Sequence, residues 1–434
     1  MHLNWSSIII VQVGTFRQCR DKTGNNMNLY IFNETRLGAM YGVGTYIREL
    51  ATALKNSNIN VCVVNLNSDK PQIKSEEVDG VLYLYFPAPI QWTKDLKAHW
   101  DLYHRNIAYW FQLHIKDKQG LIFHLNYSKK DILAEELRKT FDCRIVSVVH
   151  FYDRQLTAYD NWPQLQNRLN EEHSDNFSEN LNVLLEEEKP YCSNADRIIC
   201  LSNYMQKLLC RNYGLDVERI SVIPNGLNDA FESPSDVILL RKKWNIQEEE
   251  KIILFAGRLN HLKGLEYLII SFQKVLNVFS QCRLMIVGEG AFNLYTRVSQ
   301  DICTKVSFCG LLDKAKLYEL YQIADIGVLP SFTEQCSYVA IEMMMHSLPM
   351  VTTSVPGLVE MVEDGISSLQ VPIIMHPDRM EIDTDLLAEK MLYLLKQPNE
   401  AKRLGRNARK RYEEQYSNKI FSKNMLNFYH SLYD

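Results

Sequence analysis

The sequence predicts an α/β protein of two parallel-sheet units facing a cleft. Three observations lead there. Short apolar, β-rich runs alternate with helix-period patterns along the chain, the signature of parallel strands joined by crossover helices. The chain has 434 residues, too many for one ordinary core and suited to two domains of about 200 residues. Finally, the run Ser221-Val222-Ile223 stops at a Pro224-Asn225-Gly226 turn, which divides the alternation into two series.

Taken in order, residues 1–26 hold one short apolar run, Ile8-Ile9-Ile10-Val11-Gln12-Val13. No Lys or Arg precedes it and no small-residue cleavage site follows, so it reads as an extension or upstream start and not as a secretory signal. The first unit, 27–228, begins with the strand Met27-Asn28-Leu29-Tyr30-Ile31-Phe32 and offers further strands near 60–66, 81–85, 121–125, 144–149 and 197–201. After the first strand, apolar residues at 46, 47, 50, 53 and 54 give a helix with one buried face. Residues 153–188 are polar, acidic and rich in Asn, Gln and Glu, and read as a helical or lid-like insertion. The second unit, 229–410, offers strands near 251–257, 282–287, 305–308, 325–329 and 348–352. From about 408 the chain closes in one or two amphipathic helices, with 411–434 as the terminal piece.

Composition removes several classes. With 46% hydrophobic and 23% charged residues the chain is globular and not disordered. A formal charge of -4 argues against broad nucleic-acid affinity, and no apolar stretch reaches the roughly 20 residues of a spanning helix. The 10 cysteines form no Cys-x-x-Cys pair and several sit in apolar runs, which reads as reduced, buried thiols of a cytoplasmic protein.

Four places gather residues of chemical interest. At the end of strand 251–257, Gly257 is followed by Arg258 and Lys263. A forked guanidinium and a mobile ammonium suit a diphosphate whose charge grows as it leaves, though both are also read as ordinary surface charges. Past strand 325–329, a loop carries Glu334 and a helix starting near Cys336 carries Glu342. Their spacing is weak evidence; their placement around a helix N-terminus is better. The N–H groups at Ser337 and Tyr338 can receive a phosphate, while the acids accept from sugar or ribose hydroxyls. Glu342 lies between Ile341 and the methionines 343–345, where a buried acid needs a partner. The loop from Gly38 through Gly42 to Gly44 leads into the first helix and serves either an anion or a simple turn; it lacks the G-x-G-x-x-G of dinucleotide binding. The strand Val146-Ser147-Val148-Val149 ends in His150 at the cleft side, able to donate to a sugar hydroxyl or to be structural, and His124 reads as a strand end in the same way. No histidines follow a metal-ligand spacing, and no Asp-x-Asp pair on a loop that would signal a metal-held nucleotide-sugar, Walker loop or Gly-x-Ser-x-Gly elbow is found.

In this order, the pieces Tyr41-Gly42-Val43-Gly44-Thr45, Pro224-Asn225-Gly226, Gly257-Arg258-Leu259 with Lys263-Gly264, Val287-Gly288-Glu289-Gly290, Ala324-Asp325, Pro330-Ser331, and Glu334 with Glu342 resemble the family 4 glycosyltransferases of GT-B fold. The likeness runs from Met27 to near the end and is strongest from Ile198 to Gly365. It implies a first domain for the acceptor, a second for a UDP- or GDP-linked sugar donor, and a last helix packing back on the first domain. By the resemblance, Arg258 and Lys263 would hold the diphosphate with Gly44 and Gly42 from the first domain. Glu342 would bind the ribose, Glu334 the sugar near its reacting carbon, and His150 would sit beside that sugar. Backbone around Gly288, Phe308, Gly310 and Leu311 would read the base. The family implies retention of anomeric configuration with no metal and no cofactor beyond the donor, and acceptors that are glycans, lipids or peptides. It also implies peripheral contact with the inner face of a membrane and leaves the oligomeric state open.

One departure stands out. The family places glycines after the first glutamate, whereas Gln335-Cys336-Ser337-Tyr338 follows Glu334, so the sugar pocket is expected to be reshaped. This run resembles a bacterial branch in which some members lie beside peptide-modification genes. The alternatives are a sugar-nucleotide epimerase or a non-catalytic partner of the same fold; a phosphorylase would need a longer scaffold.

Overall fold

The computed structural model describes residues 27–34, 42–90, 94–115, 119–126, 132–151, 192, 194–231, 236–376 and 379–433. The expected extension 1–26, the insertion 153–188 and positions 38–41 of the glycine loop lie outside the described residues.

Two sheets, parallel except for the antiparallel edge pair β3–β4 of the first, carry the architecture. The first consists of β1 (Met27–Glu34), β2 (Ile59–Ser68), β3 (Lys74–Val78), β4 (Val81–Pro87), β5 (Leu121–Asn126), β6 (Cys143–Val149), β7 (Arg197–Cys200) and β8 (Ile220–Val222), in the spatial order β3-β4-β2-β1-β5-β6-β7-β8. The second consists of β9 (Lys251–Ala256), β10 (Cys282–Val287), β11 (Val306–Gly310), β12 (Ile326–Leu329), β13 (Met350–Thr353) and β14 (Leu369–Val371), in the order β11-β10-β9-β12-β13-β14. Within each sheet the strand order reverses once, between β1 and β5 and between β9 and β12. In doubly wound sheets the ligand crevice lies at the carboxyl ends of the two strands flanking that reversal.

Helices α1 (Gly42–Leu54), α2 (Leu96–His114), α3 (Ile132–Thr140) and α4 (Asn203–Tyr213) belong to the first unit. The second unit has α5 (Val237–Lys243), α6 (Leu265–Val278), α7 (Phe292–Val298), α8 (Lys314–Ile323), α9 (Tyr338–Met345), α10 (Pro356–Met361), α11 (Thr384–Lys396) and α12 (Pro398–Arg411), and α13 (Asn418–His430) closes the chain. The two-residue alternation of β1 sorts the first unit's core. Leu29 and Ile31 pack with the α1 side chains Tyr46, Ile47 and Leu50, while Tyr30 and Phe32 pack on the opposite face with Ile107 and Phe111 of α2. Helix α1 begins at Gly42, so Gly42 and Gly44 are first-turn residues and not the loop ahead of a helix at Thr45.

The last helix returns to the first unit. A π-helical turn, Tyr412–Tyr416, interrupts the helices expected from 408 onward, and α12 starts earlier, at Pro398. Two crossings between the units lie side by side: Leu227 N–H donates to Tyr416 O at 2.9 Å, and Asn418 N–H to Leu227 O at 2.8 Å. Gly226 is needed here, because a Cβ on it would fall 2.2 Å from Phe421 Cβ of α13. Beyond, Ser422 Oγ donates to Ala53 O of α1 at 2.8 Å.

Strands β3 and β14 and the hairpin of β15 (Ile373–Met375) and β16 (Met380–Ile382) were absent from the sequence reading. The nine described cysteines are free thiols; six are buried, but Cys303 is exposed against the expectation. Among the described residues no helix is long and apolar enough to cross a membrane.

Candidate functional site

The carboxyl ends of β9 and β12 meet through Gly264. Its φ of +61° and the 1.9 Å that would separate a Cβ from Pro330 O leave room only for glycine, and this close approach presses the β9 loop onto the β12 loop. As a result Lys263 Nζ donates to Glu334 Oε1 at 2.5 Å, with the side chains 22% and 10% exposed. Ser331 Oγ donates to the same oxygen at 2.9 Å. The two residues that the sequence assigned to diphosphate and sugar are thus joined at the strand-order reversal of the second sheet. Arg258 lies exposed on the rim of the same loop.

Helix α9 begins at Tyr338, two residues beyond Cys336. Ser337 is its N-cap, its hydroxyl accepting the Ala340 N–H at 3.4 Å. A turn later stands Glu342, fully buried. Lys314 Nζ donates to its Oε1, and Tyr321 OH to its Oε2 at 3.0 Å. Partners for this acid were expected; their identity was not readable, because they lie 28 and 21 residues away on a different helix. The Tyr338 ring packs beside Gly42, where a Cβ would sit 3.8 Å from it. Its hydroxyl is buried with no hydrogen-bond partner among the described residues, and burial pushes its pKa well above the ordinary tyrosine range.

Two residues of the variant run after Glu334 contact the first unit. Gln335 Oε1 accepts from Ser202 Oγ, the N-cap of α4, at 2.9 Å. Cys336 O accepts from Asn225 Nδ2 at 2.7 Å, and its Sγ from Asn225 N–H at 3.3 Å. Both side chains therefore join the two units. Nearby, the Glu360 carboxylate of α10 accepts from Asn203 N–H, Asn203 Nδ2 and Tyr204 N–H at 2.8, 3.0 and 2.7 Å. An acid of the second unit thereby caps a helix of the first.

Among the positions assigned to the base, Gly288 N–H donates to Gly310 O at 2.8 Å. A Cβ on Gly288 would lie 1.8 Å from Gly257 O, so the ends of β9, β10 and β11 are drawn together. Phe308 packs edge-on against Phe292 at 5.0 Å, and Leu311 is 52% exposed.

Across the cleft, His150 Nε2 lies 2.8 Å from Asn126 Oδ1. Asn126 Nδ2 donates to Phe32 O at 3.1 Å, which fixes Oδ1 as the acceptor. His150 therefore carries its proton on Nε2 and presents Nδ1 as an acceptor; the donor expected from its strand-end position is already engaged. Burial pushes its pKa down to about 3, so the ring is neutral. His124 is no strand end: it is the fourth residue of β5, fully buried, with Nε2 3.3 Å from Tyr46 OH and Nδ1 2.9 Å from Tyr429 OH of α13. From α1, Glu49 accepts from Asn228 N–H and Asn418 Nδ2, both at 2.8 Å. Burial raises its pKa, and those two bonds with the Arg48 and Lys314 charges act against the rise. Among the described residues, no group of three or more His, Cys, Asp or Glu is placed to hold a metal ion.

Two family models divide the chain at the same hinge. Residues 40–231 match "Glycosyltransferase Family 4" and residues 236–411 match "Glycosyl transferases group 1". A glycosyltransferase of Methanocaldococcus jannaschii is 33% identical over 185 residues, 40% of this chain and 46% of that protein, so the chain spans about half the length of the relative it matches. Sucrose-phosphate synthase from Thermosynechococcus elongatus superposes with a TM-score of 0.74 at 21% identity, over 94% of this chain and 99% of its own. Anabaena HepE, solved with UDP and glucose, superposes at 0.69 with 16% identity, over 93% and 100%. Two doubly wound sheets, a helix that returns across the hinge, and two consecutive family matches together mean that the chain belongs to the family 4 glycosyltransferases of GT-B fold.

Proposed function

We propose that this chain is a retaining, metal-independent glycosyltransferase that moves a hexose-type sugar from a UDP- or GDP-linked donor to a hydroxyl of a glycan, lipid or peptide. The Lys263–Glu334 pair at the strand-order reversal of the second sheet is the observation that carries this reading. It puts a cation and a carboxylate side by side where a sugar diphosphate would present phosphate and reacting carbon to them. Arg258, Lys263 and the N-terminus of α9 at Ser337 and Tyr338 would hold the diphosphate, with Gly42 and Gly44 of α1 opposite. Glu342 would take the ribose, and backbone at Gly288, Phe308, Gly310 and Leu311 the base. His150, neutral and accepting at Nδ1, would take a hydrogen bond from a hydroxyl of the transferred sugar.

In the reaction the bond from the anomeric carbon to the phosphate oxygen breaks while a bond from the acceptor oxygen forms on the same face. The acceptor proton passes to the leaving phosphate oxygen, and the charge that phosphate gains is met by Lys263 and Arg258. The test is incubation of the whole chain with UDP- and GDP-linked hexoses, reading release of nucleoside diphosphate. Release from at least one donor, abolished in Lys263→Ala, supports the reading. Conversion of the donor to an epimeric nucleotide-sugar, with no release, would favour the epimerase instead.

A further inference from the structure

Lys314 belongs to none of the matched motifs, yet its ammonium sits on the acid proposed to read the ribose. It opens α8, three positions past Leu311 in the loop that follows β11, and reaches Glu342 on α9. Glu342 is closed on one flank by the Tyr321 hydroxyl, a core side chain only 1% exposed. On the other flank is Lys314, whose side chain is 49% exposed and lies 6.0 Å from the Tyr318 ring centroid. Of the two partners of this buried carboxylate, Lys314 is thus the one open to solvent.

The chemistry of the carboxylate fits a diol. Each oxygen has two acceptor sites; Lys314 uses one and Tyr321 another, which leaves one on each oxygen for the 2′- and 3′-hydroxyls of a ribose. A buried carboxylate that loses its cation turns to another donor or takes up a proton, and a protonated oxygen becomes a donor facing hydroxyl donors. We propose that Lys314 is a positioning residue for nucleoside recognition, holding the Glu342 carboxylate paired and aimed so that the site takes ribonucleoside diphosphates ahead of their 2′-deoxy counterparts. The proposal rests on Glu342 being the ribose anchor.

Calorimetric titration of the whole chain with UDP, 2′-deoxy-UDP, GDP and 2′-deoxy-GDP tests it in wild type, Lys314→Met and Lys314→Gln. Wild type prefers the ribonucleotide of whichever base it binds by about tenfold or more, the worth of a hydrogen bond to a charged group. Lys314→Met brings that ratio to about one and lowers the 2′-deoxy affinity less than that of the ribonucleotide, because the deoxy nucleotide loses only its 3′-hydroxyl bond and the diphosphate contacts are untouched. Lys314→Gln keeps a donor on Glu342, folds where the methionine variant does not, and gives an intermediate ratio. An unchanged ratio in either variant overturns the proposal. So does an equal loss for both nucleotides, or tighter ribonucleotide binding, which would make Lys314 a plug and not a support. Wild type that binds neither UDP nor GDP defeats the donor-site reading itself; wild type that binds one without preferring ribose removes the anchor role of Glu342 and this proposal with it.

Discussion

Replacing Glu334 with glutamine separates the two jobs of the Lys263–Glu334 pair. Unit charges 4 Å apart at an effective dielectric of about 20 attract by about 4 kcal/mol before desolvation and side-chain ordering are subtracted. With side chains 22% and 10% exposed, this pair falls between exposed pairs, worth about 0–1 kcal/mol, and buried ones, which cost about 3–5 kcal/mol to break, so about 1–2 kcal/mol is its net worth. In the ligand-free chain that energy holds the ammonium on Glu334 and away from a diphosphate. Glutamine keeps the length and the bond from Ser331 but removes the charge, so Lys263 is released. UDP or GDP affinity is therefore expected to rise about 3–10-fold; the gain stops short of the full pair energy because an ammonium has three donors and need not leave Glu334 entirely. Transfer from the nucleotide-sugar, by contrast, falls by about 100-fold or more, since the charge beside the reacting carbon is gone. Calorimetry with the free nucleotide and a coupled assay of nucleoside diphosphate release measure the two effects separately. Weaker nucleotide binding in Glu334→Gln, in step with lost transfer, would refute the reasoning.

Three further outcomes are expected. Lys263→Ala removes a charge-assisted phosphate contact of about 1.5–3 kcal/mol, and calorimetry that finds undiminished UDP and GDP affinity would exclude that role. Glu360→Ala removes the carboxylate that supplements the Ser202 cap of α4 and costs about 0.5–2 kcal/mol; because the acid belongs to the other unit, small-angle scattering should also register a wider spread of domain orientations, and unchanged scattering and melting would contradict the joint. His124 is neutral between two tyrosine hydroxyls, its pKa pushed by burial from 6.5 down to about 3. A base with a depressed folded pKa contributes stability that is full above 6.5 and is lost as pH falls toward 3. Wild type should thus lose melting temperature on acidification through that window more steeply than His124→Asn, by an amount of order a few kcal/mol; equal slopes would count against the buried neutral ring.

Much of the fold was legible because parallel strands buried on both faces are apolar runs, as at Ile252-Ile253-Leu254-Phe255. Strand β3, Lys-Ser-Glu-Glu-Val, escaped because it is a charged, largely exposed edge with no apolar alternation. Glu342 was readable as a buried acid from its methionine neighbours, whereas Lys314 and Tyr321 were not, since helix packing and not local sequence brings them to it. The turn of Gln335 and Cys336 toward Ser202 and Asn225 depends on residues 133 and 111 positions away, which no local pattern encodes. The role of His150 changed for the same reason: its tautomer is set through Asn126 by the carbonyl of Phe32 on another strand.

The proposed activity is retaining transfer at an organic cation–carboxylate site without a metal. Its most direct measurement is proton NMR of the reaction of the whole chain with its best UDP- or GDP-linked hexose in the presence of EDTA, following the anomeric configuration of the transferred or released sugar. Nucleoside diphosphate is expected to appear despite the chelator, and the sugar to appear first with the anomeric configuration it had in the donor. An inverted sugar, or turnover that the chelator abolishes and added divalent cation restores, would contradict it.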